Sequence, residues 1–467
     1  MPAPSDAIAH LRHLLAGEYE AFAQALCAVP PVSLRLNAAK PASKPIFADT
    51  TPVPWCATGF YLPQRPSFTL DPLLHAGAYY VQEASSMFVE QALRQHADLS
   101  QSLSVLDLCA APGGKSTLLA SLLNADSCLL SNETVRSRAH ILSENLAKWG
   151  SPHTAVTCND PAQFAALAGC FDVLLCDAPC SGEGMFRKTP EAVGEWSMAN
   201  VQLCAKRQCR ILADAANLLD EGGLMVYSTC TFNPIENEEQ VAWLLQHSHF
   251  DYISLRLDLD HFPQVVETCQ TLPNGKIAYG YRFYPHRIDG EGLFIACLRR
   301  QDHPTTPQRT NKPPTPDKNR AVNAKERQAL SAWLDPHKDF EYIQHLGEYY
   351  ALPRTLWTRW RKWANNPLLY WLNMGVKLGK LNGNHLIPAP ELALSTALSP
   401  YINTIALNHE QALSYLRKEE INGHLPTTTS NTWAAVAYEG LRLGWVKILQ
   451  GRLNNHYPKE WRIRMNA

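Results

Sequence analysis

The sequence predicts an α/β protein with a doubly wound, mainly parallel sheet, a small α+β domain before it and a basic region after it. Two observations predict the sheet. From about Leu103 to Arg299, short apolar runs typical of buried strands alternate with amphipathic runs typical of helices. The first of these runs is followed by a glycine turn and a helix, an order that such sheets use to bind anionic ligands.

The elements of this sheet can be assigned in order along the chain. The predicted strands are LSVLDLC, SCLLSNE, HTAVTCND, DVLLCDAP, GGLMVYST and GLFIACL. The predicted helices between some of them are STLLASLL, VRSRAHILSENLAKW, VQLCAKRQCRILADAANLL and NEEQVAWLLQH. Because parallel strands of a doubly wound sheet end at one edge, we expect the residues that follow them to share one cleft.

Length and composition limit the class of protein. A chain of 467 residues is too long for one core and predicts about three domains. Its 46% hydrophobic and 18% charged residues are typical of a soluble globular protein, and its first residues resemble neither a signal peptide nor a membrane anchor, so we expect a cytoplasmic location. The 13 cysteines include no C-x-x-C pair, which predicts reduced thiols and no bound metal.

Charge is distributed unevenly along the chain. The formal net charge is −1, but residues 323 to 467 contain 17 Lys and Arg against 11 Asp and Glu, which leaves −7 for the first 322 residues. A proline-rich polar stretch separates the two parts. We therefore divide the chain into an N-terminal domain, a sheet domain, a linker, an α/β connecting domain and a C-terminal module, at 1–77, 78–300, 301–322, 323–392 and 393–467.

The glycine turn after the first strand excludes two common nucleotide motifs. Gly113 and Gly114 allow close approach of backbone to ligand, and the helix that follows presents free N–H groups. A phosphate-binding P-loop would need a glycine where Cys109 stands, and G-x-G-x-x-G is absent. Neither a nucleoside triphosphatase nor a dinucleotide site is therefore favoured.

Acidic residues lie at the ends of four successive predicted strands: Asp107, Glu133, Asp160 and Asp177. One such acid is usually a helix cap. Four at one sheet edge are better explained by a shared ligand, and the carboxylate of Glu133, about 19 residues beyond the glycine turn, suits a pair of ribose hydroxyls. The pattern predicts a nucleoside-like ligand.

Two thiols follow the fourth and fifth strands. Cys180 lies in DAPC, three residues after Asp177, and Cys230 lies in STCT. If these strands are neighbours, the two thiols face each other across one cleft. A redox couple would usually carry C-x-x-C and a metal site would need convergent histidines, and neither pattern is present.

Four sequence blocks, CAAPGGK, DAPCSGEG, YSTCTFNPIENE and YPHRIDGEGLFIA, resemble the signature blocks of the S-adenosylmethionine-dependent RNA cytosine-5 methyltransferases (the NOL1/NOP2/Sun family). They span about Tyr80 to Arg299 in the family's order. The tail, with MGVKLGKL, YLRKEEI and LRLGWVKILQGRLNNHYPKEWR, is similar to the PUA-like RNA-binding end of the RsmB/RsmF branch, which modifies 16S ribosomal RNA. The resemblance implies a seven-stranded Rossmann-like methyltransferase sheet and a β-rich C-terminal module.

The resemblance also assigns roles to three residues. Carbon 5 of cytosine is a poor nucleophile until a thiolate adds at carbon 6, and in the family this thiolate is the cysteine of STCT, here Cys230. Asp177 would contact the cytosine ring at N3, and Cys180 would assist product release. A thiol with an ordinary pKa of about 8.5 is only a few per cent ionised at neutral pH, so we expect a lowered pKa or a nearby base at Cys230.

A cofactor site follows from the same blocks. The implied S-adenosylmethionine contacts are Cys109, Ala110, Ala111, Pro112, Gly113, Gly114, Lys115, Glu133, Arg138, Asp160 and Asp177. Among these, Lys115 and the glycine backbone would hold the methionine end, Glu133 the ribose and Asp160 the adenine. Glu133 stands where the family also uses aspartate, and a longer acid can make the same contacts.

RNA contacts are predicted at both ends of the chain. VSLRLN, with Arg35 and Asn37, resembles the family's N-terminal RNA-contacting segment, and Lys447, Lys459 and Arg462 are candidates in the tail. LWTRWRKWANN interleaves cations with three tryptophans, Trp357, Trp360 and Trp363. These could stack on unpaired bases or, given their helical spacing, belong to the core.

The favoured function is therefore methylation of a flipped or unpaired cytosine in small-subunit ribosomal RNA, by a monomer. Two alternatives stay open. A DNA cytosine methyltransferase would use the Pro-Cys thiol, Cys180, as its nucleophile and leave Cys230 dispensable. A catalytically silent assembly factor would bind ribosomal RNA without using the cofactor.

Overall fold

The computed structural model describes residues 8–189, 191–247, 250–302, 319–364, 366–421, 432–450 and 452–465. The strands of this part of the chain form four sheets, of which the largest has ten strands and is parallel at its centre. The predicted fold class is confirmed. Short 3-10 helices cover Ala9–Leu11, Ala16–Glu18, Phe68–Leu70, Ser85–Phe88, Pro161–Leu167, Glu183–Met185, Pro234–Glu236 and Arg354–Leu356.

The N-terminal region contains three short helices and a four-stranded sheet. The elements are α1 (Arg12–Leu15), α2 (Tyr19–Cys27), β1 (Val32–Leu36), β2 (Thr51–Pro52), β3 (Gly59–Leu62), α3 (Pro72–Ala76) and β4 (Tyr79–Val81). The strand order is β2-β3-β1-β4, and β1 is antiparallel to β4. Because β4 belongs to this sheet, we propose that the N-terminal domain extends beyond the boundary at residue 77 given above.

The central region alternates strands and helices as predicted. Its elements are α4 (Val89–His96), β5 (Ser104–Asp107), α5 (Gly114–Leu122), β6 (Cys128–Asn132), α6 (Arg136–Trp149), β7 (Thr154–Thr157), β8 (Phe171–Asp177), α7 (Glu191–Glu195), α8 (Met198–Ala216), β9 (Leu219–Thr229), α9 (Glu238–Gln246), β10 (Tyr252–Leu255), β11 (Val266–Thr271), β12 (Ile277–Phe283) and β13 (Leu293–Arg300). The parallel strands lie in the order β9-β8-β5-β6-β7. The fourth and fifth predicted strands, β8 and β9, are therefore neighbours.

Both faces of the central strands are buried, which explains their continuous apolar sequences. Leu106 and Leu174 point to a core on one face that also contains residues of α8, whereas Val105 and Val173 point to a second core that contains residues of α4 and α5. All four side chains are at most 1% exposed. The alternation along each strand thus supplies two cores, and the polar residues that follow the strands are left at the carboxyl edge.

The connecting region forms a five-stranded sheet and lends one strand to the central sheet. Its elements are β14 (Asn319–Ala321), α10 (Ala324–Ser331), β15 (Phe340–His345), β16 (Glu348–Pro353), α11 (Trp357–Ala364), β17 (Trp371–Met374), β18 (Val376–Asn382), β19 (His385–Pro388) and α12 (Pro390–Leu394). β17 is antiparallel to β7, the edge strand of the parallel array. With β17 and the antiparallel β10 to β13, the central sheet exceeds the expected seven strands.

The C-terminal region contains a four-stranded sheet and one helix. Its elements are β20 (Thr404–Ala406), α13 (His409–Arg417), β21 (Thr432–Tyr438), β22 (Leu441–Leu449) and β23 (Arg452–Asn455). The buried indole of Trp445 donates to the Ala389 carbonyl at 2.8 Å, which ties this sheet to the connecting region. Across the described ranges, no helix combines the length and apolar character needed to cross a membrane.

Candidate active site

Two thiols meet at the carboxyl edge of the central sheet. The parallel register of β8 and β9 pairs Asp177 with Ser228, so the loops that leave the two strands run side by side. Cys180 and Cys230 lie on these loops with their sulfur atoms 3.3 Å apart, and both are half-buried. The expectation that the two thiols share one cleft is confirmed.

The backbone around Cys230 is held tightly. The Gly184 N–H donates to the Cys230 carbonyl at 2.8 Å. A Cβ atom on Gly184 would lie 2.7 Å from the same carbonyl oxygen, so the close approach requires glycine at this position. The GEG sequence after Cys180 therefore brings its own loop into contact with the loop that carries Cys230.

The two thiols differ in acidity. A hydrogen bond from Cys180 lowers the pKa of Cys230, and the Lys115 ammonium acts in the same direction, although burial and the carboxylates of Asp177 and Glu236 oppose both effects. The hydrogen bond to Cys230, together with burial, raises the pKa of Cys180 well above its usual value. Cys230 is therefore the more readily ionised thiol, which agrees with the lowered pKa expected for a nucleophile.

An ion pair lies next to the thiols. Gly113, in the left-handed conformation at φ 116°, precedes helix α5, and Lys115 extends from the first turn of this helix. Its Nζ contacts Asp177 Oδ2 at 2.7 Å, while the Ser228 hydroxyl donates to Asp177 Oδ1 at 2.8 Å. Burial lowers the pKa of Lys115, but the Asp177 carboxylate outweighs burial and raises it on balance, so the lysine is a cation.

The sheet edge beside the Lys115–Asp177 ion pair has polar groups that suit a nucleoside carrying an amino acid group. Asp107 is fully buried, its Oδ2 accepts from the Ser116 hydroxyl at 2.6 Å, and its Oδ1 has no hydrogen-bond partner among the described residues. Burial raises the pKa of Asp107 to about 7. Glu133 accepts from the Val135 N–H at 2.9 Å and contacts Arg138 at 3.4 Å. The Arg138 guanidinium also donates to the Ala111 carbonyl, at 3.0 Å.

The remaining predicted cofactor contacts lie along the same edge. Cys109 hydrogen-bonds to Cys176, which together with burial raises the pKa of Cys109. Asp160 caps the helix that begins at Pro161 and contacts Arg210 at 3.3 Å. The unpartnered Oδ1 of the buried Asp107, the Gly113–Gly114 turn and the Glu133 carboxylate fit an S-adenosylmethionine molecule, whose contacts with these residues stay predictions.

Four further polar residues around the thiols were not assigned from the sequence: Ser181, Glu183, Gln208 and Glu236. The carboxylate of Glu236 accepts from the Ser181 N–H at 2.8 Å and from Gln208 Nε2 at 3.1 Å. Glu183 is fully buried and accepts from the Phe232 N–H at 2.9 Å. For the two acids, Glu183 and Glu236, the available signal was a carboxylate beside apolar residues, in SGEGMF and NPIENE.

The predicted RNA contacts at the N-terminus are corrected by the structure. Arg35 is fully buried, donates to Thr117 Oγ1 at 2.6 Å and to Gln82 Oε1 at 3.1 Å, and stacks on Trp149. The Asn37 amide donates to the carbonyls of Gly77 at 2.9 Å and Trp149 at 3.0 Å. Both side chains join the N-terminal region to the central domain and are not available to RNA in this structure.

The tryptophan cluster belongs to the core. Trp360 and Trp363 are each 1% exposed and pack against Trp371 and Phe171, so the alternative of stacking on RNA bases is wrong for these two. Trp357 is partly buried against the same core. In the tail, Lys459 and Arg462 are exposed, whereas the ammonium of the less exposed Lys447 lies 5.9 Å from the Trp433 ring centroid.

Comparison with solved structures places the fold. A methyltransferase homologue from Pyrococcus horikoshii aligns with a TM-score of 0.51 and 28% sequence identity, over 64% of this chain and 99% of that chain. A second structure from the same organism, described as NSun6, aligns with a TM-score of 0.51 and 18% identity, over 63% and 97% of the two chains, and supports the fold alone. The sheet and its edge site thus define a Rossmann-like methyltransferase fold.

Sequence comparison gives the family. Family models match residues 3–84 (N-terminal domain of 16S rRNA methyltransferase RsmF), 90–299 (16S rRNA methyltransferase RsmB/F) and 402–463 (RsmF PUA domain). Ribosomal RNA small subunit methyltransferase F of Enterobacter sp. (strain 638) is 32% identical over 98% of this chain and 95% of its own length. That of Erwinia tasmaniensis is 33% identical over 88% and 84%. The chain belongs to the RsmB/F family of 16S rRNA methyltransferases.

Proposed function

We propose that this protein transfers the methyl group of S-adenosylmethionine to carbon 5 of a cytosine in 16S ribosomal RNA, in the cytoplasm. The observation that carries the proposal is the thiol pair, with sulfur atoms 3.3 Å apart, beside the Lys115–Asp177 ion pair. A methyltransferase acting on oxygen or on an exocyclic nitrogen needs no thiol. Addition of a thiolate is required where the acceptor is an unactivated pyrimidine carbon.

Cys230 performs the first step. Its thiolate adds to carbon 6 of cytosine, forming a carbon–sulfur bond and moving an electron pair toward N3 and carbon 5. The lowered pKa of Cys230 supports this assignment. A proton shared between Asp177 and the Lys115 ammonium, which contacts Asp177 Oδ2 at 2.7 Å, is donated to N3 and neutralises the negative charge that develops there.

The cofactor, when bound, supplies an electrophilic methyl group from its sulfonium. The Gly113–Gly114 turn and the acids Asp107 and Glu133 hold and orient it at the sheet edge. Helix α5 carries Lys115 directly after this turn, so the same turn positions the cofactor and the cation that neutralises Asp177.

Release completes the cycle. A base removes the proton from carbon 5, the electron pair re-forms the carbon 5–carbon 6 double bond, and the carbon–sulfur bond breaks to regenerate the Cys230 thiolate. Cys180 is protonated under the same conditions because its pKa is raised, so its S–H can donate a hydrogen bond to the departing Cys230 sulfur and stabilise the thiolate that leaves, rather than act as the nucleophile.

The test uses three proteins: the wild type, Cys180→Ala and Cys230→Ala, each incubated with 16S ribosomal RNA and S-adenosylmethionine and separated on a denaturing gel. We expect Cys180→Ala to accumulate a covalent protein–RNA band, and Cys230→Ala to give neither this band nor methylated RNA. Methylation by Cys230→Ala together with inactivity of Cys180→Ala would assign the nucleophile to Cys180 and restore the DNA-type mechanism. If the wild-type protein, with Cys230 intact, does not bind S-adenosylmethionine, the result favours the alternative of a catalytically silent assembly factor.

A further inference from the structure

Glu236 is a buried carboxylate at the junction of the two cysteine loops. Its side chain is completely shielded from solvent. Oε1 accepts from the Ser181 N–H at 2.8 Å and from Gln208 Nε2 at 3.1 Å, and Oε2 accepts from the Ser181 hydroxyl. Three donors from two different elements thus converge on one carboxylate.

These contacts connect the cysteines through their immediate neighbours. Ser181 follows Cys180 in the chain, Thr231 follows Cys230, and the two hydroxyl oxygens lie 3.0 Å apart. The backbone of Glu236 is in turn fixed to β9, because the Tyr227 hydroxyl donates to its carbonyl at 2.6 Å. Glu236 therefore joins the Cys180 loop to the strand that presents Cys230.

Burying the charged carboxylate of Glu236 has an unfavourable desolvation free energy. In the part of the chain that the structure describes, no cation forms an ion pair with Glu236. Burial raises the pKa of its carboxyl group, and three hydrogen bonds offset part of this effect. Such a buried carboxylate is expected where the distance between the two thiols matters for the reaction, because catalytic groups must be held to within about 0.5 Å.

We propose that Glu236 is a positioning residue for product release: it holds Cys180 against the adduct that forms on Cys230. The inference rests on the proposed function. Cys230 has separate support from the Gly184 N–H and from β9, so loss of the Glu236 carboxylate displaces Cys180 and leaves the nucleophile in place. The carbon–sulfur bond still forms, and its breakage slows.

The test compares Glu236→Gln with Glu239→Gln, a matched control because Glu239 is an exposed acid three residues further along the chain. In Glu236→Gln, the amide oxygen can keep the contacts with the Ser181 N–H and Gln208 Nε2, whereas the charge-assisted bond from the Ser181 hydroxyl is lost because an NH2 group replaces Oε2. We expect adduct formation in a single turnover to persist, with its pH dependence moved to higher pH by the lost hydrogen bond from Cys180, together with persistence of the covalent band and a fall in multiple-turnover methylation of about 10- to 100-fold. Glu239→Gln should match the wild type in all three measurements.

A general structural defect gives a different result. If Glu236→Gln slows adduct formation and release equally, or releases RNA at the wild-type rate, the inference is overturned. Should Glu236→Gln fail to fold, Ser181→Ala decides, because it removes the hydroxyl contacts and retains the Ser181 N–H: a persistent adduct supports the inference, and normal release refutes it.

The double variant separates this inference from the proposed function. Because Glu236 acts through Cys180, Glu236→Gln added to Cys180→Ala should give no more adduct than Cys180→Ala alone. If Cys180→Ala forms no adduct while Cys230→Ala still methylates RNA, the assignment of Cys230 as nucleophile fails, and the role of Glu236 fails with it. If Cys180→Ala accumulates adduct but Glu236→Gln releases normally, only the role of Glu236 fails.

Discussion

Replacement of Gly184 by alanine tests whether the position of Cys230 sets the rate of attack. The added Cβ would lie 2.7 Å from the Cys230 carbonyl oxygen. This oxygen is a backbone atom, so it cannot move away as the end of a flexible side chain could. An ordinary carbon–oxygen contact is about 3.3 Å, so the two loops must separate by about 0.6 Å. The Gly184 N–H bond to the same carbonyl, at 2.8 Å, is stretched by the same movement.

The expected magnitude follows from this displacement. A misplacement of 1 Å costs about 100-fold in rate, and the tolerance of a catalytic group is about 0.5 Å. We expect Gly184→Ala to form the covalent adduct about 10- to 100-fold more slowly, which is about 1.4 to 2.8 kcal/mol in the barrier. The assay is single-turnover adduct formation with 16S ribosomal RNA, with thermal unfolding measured in parallel.

Gly194→Ala is the control for the glycine-to-alanine change. Gly194 lies in α7, and no atom comes within 4 Å of the position its Cβ would take. Alanine in a helix is favoured over glycine by roughly 0.5 to 1 kcal/mol, so this variant should be active and at least as stable as the wild type. Adduct formation by Gly184→Ala at the wild-type rate would refute the argument, because the loops would then tolerate a shift larger than the site geometry allows.

Three further predictions concern charge and pH. Lys115→Met removes the ammonium that lowers the pKa of Cys230, so the rising limb of adduct formation against pH should move to higher pH; an unchanged pH profile would contradict this. Burial, followed by the Lys148 ammonium, lowers the pKa of His75 from 6.5 to about 4, so its contribution to stability is lost as pH falls through this range. The loss is up to about 3 kcal/mol, and His75→Gln should reduce the fall in urea stability between pH 7 and pH 4.5; an equal fall in both proteins would exclude His75 as its source. Replacing Lys459 and Arg462 by alanine should weaken RNA binding and reduce the salt dependence of log K by about 0.7 to 0.9 per lost phosphate contact, and an unchanged slope would remove these residues from the interface.

The central sheet was predictable because burial on both faces leaves a strong signal. Strands such as β5 and β8 read as continuous apolar runs, and the polar residues that follow them, including Asp177, mark the carboxyl edge. The adjacency of Cys180 and Cys230 followed from the same rule, because consecutive strands of such a sheet are commonly neighbours. The sequence pattern alone therefore predicts that the thiols and the glycine turn lie at this edge of the sheet.

Long-range burial of polar residues was not predictable. Arg35 stands in an alternating strand where an arginine usually faces solvent, and only the partners Thr117 and Gln82, distant in sequence, make its burial possible. From the sequence alone, Glu236 is an ordinary acid at the start of a helix. Its burial depends on the loop of Cys180, which is distant in sequence. The pairing of β17 with β7 depends on an open sheet edge, and no local pattern identifies that edge.

Helix α6 connects the ligand edge with the junction of the N-terminal region and the segment that precedes the C-terminal sheet. It begins at Arg136, close to Glu133 and Arg138, and ends at Trp149. Over 14 residues the helix spans about 21 Å. Its last carbonyls are satisfied by other regions, because Asn37 donates to Trp149 and both the N–H and the hydroxyl of Thr396 donate to Gly150.

The consequence concerns substrate placement. Thr396 lies before the C-terminal sheet, and Asn37 directly follows β1 of the N-terminal sheet. Both residues are anchored to the same helix end. The C-terminal region, which we propose binds RNA, is therefore anchored one helix length from the ligand edge at which α6 begins. Weakening this junction with Thr396→Val, which removes the hydroxyl and keeps the backbone N–H, should raise KM for the RNA more than it lowers the rate of adduct formation at saturating RNA. An effect on the rate at saturation alone would show that the junction acts on the chemistry and not on placement.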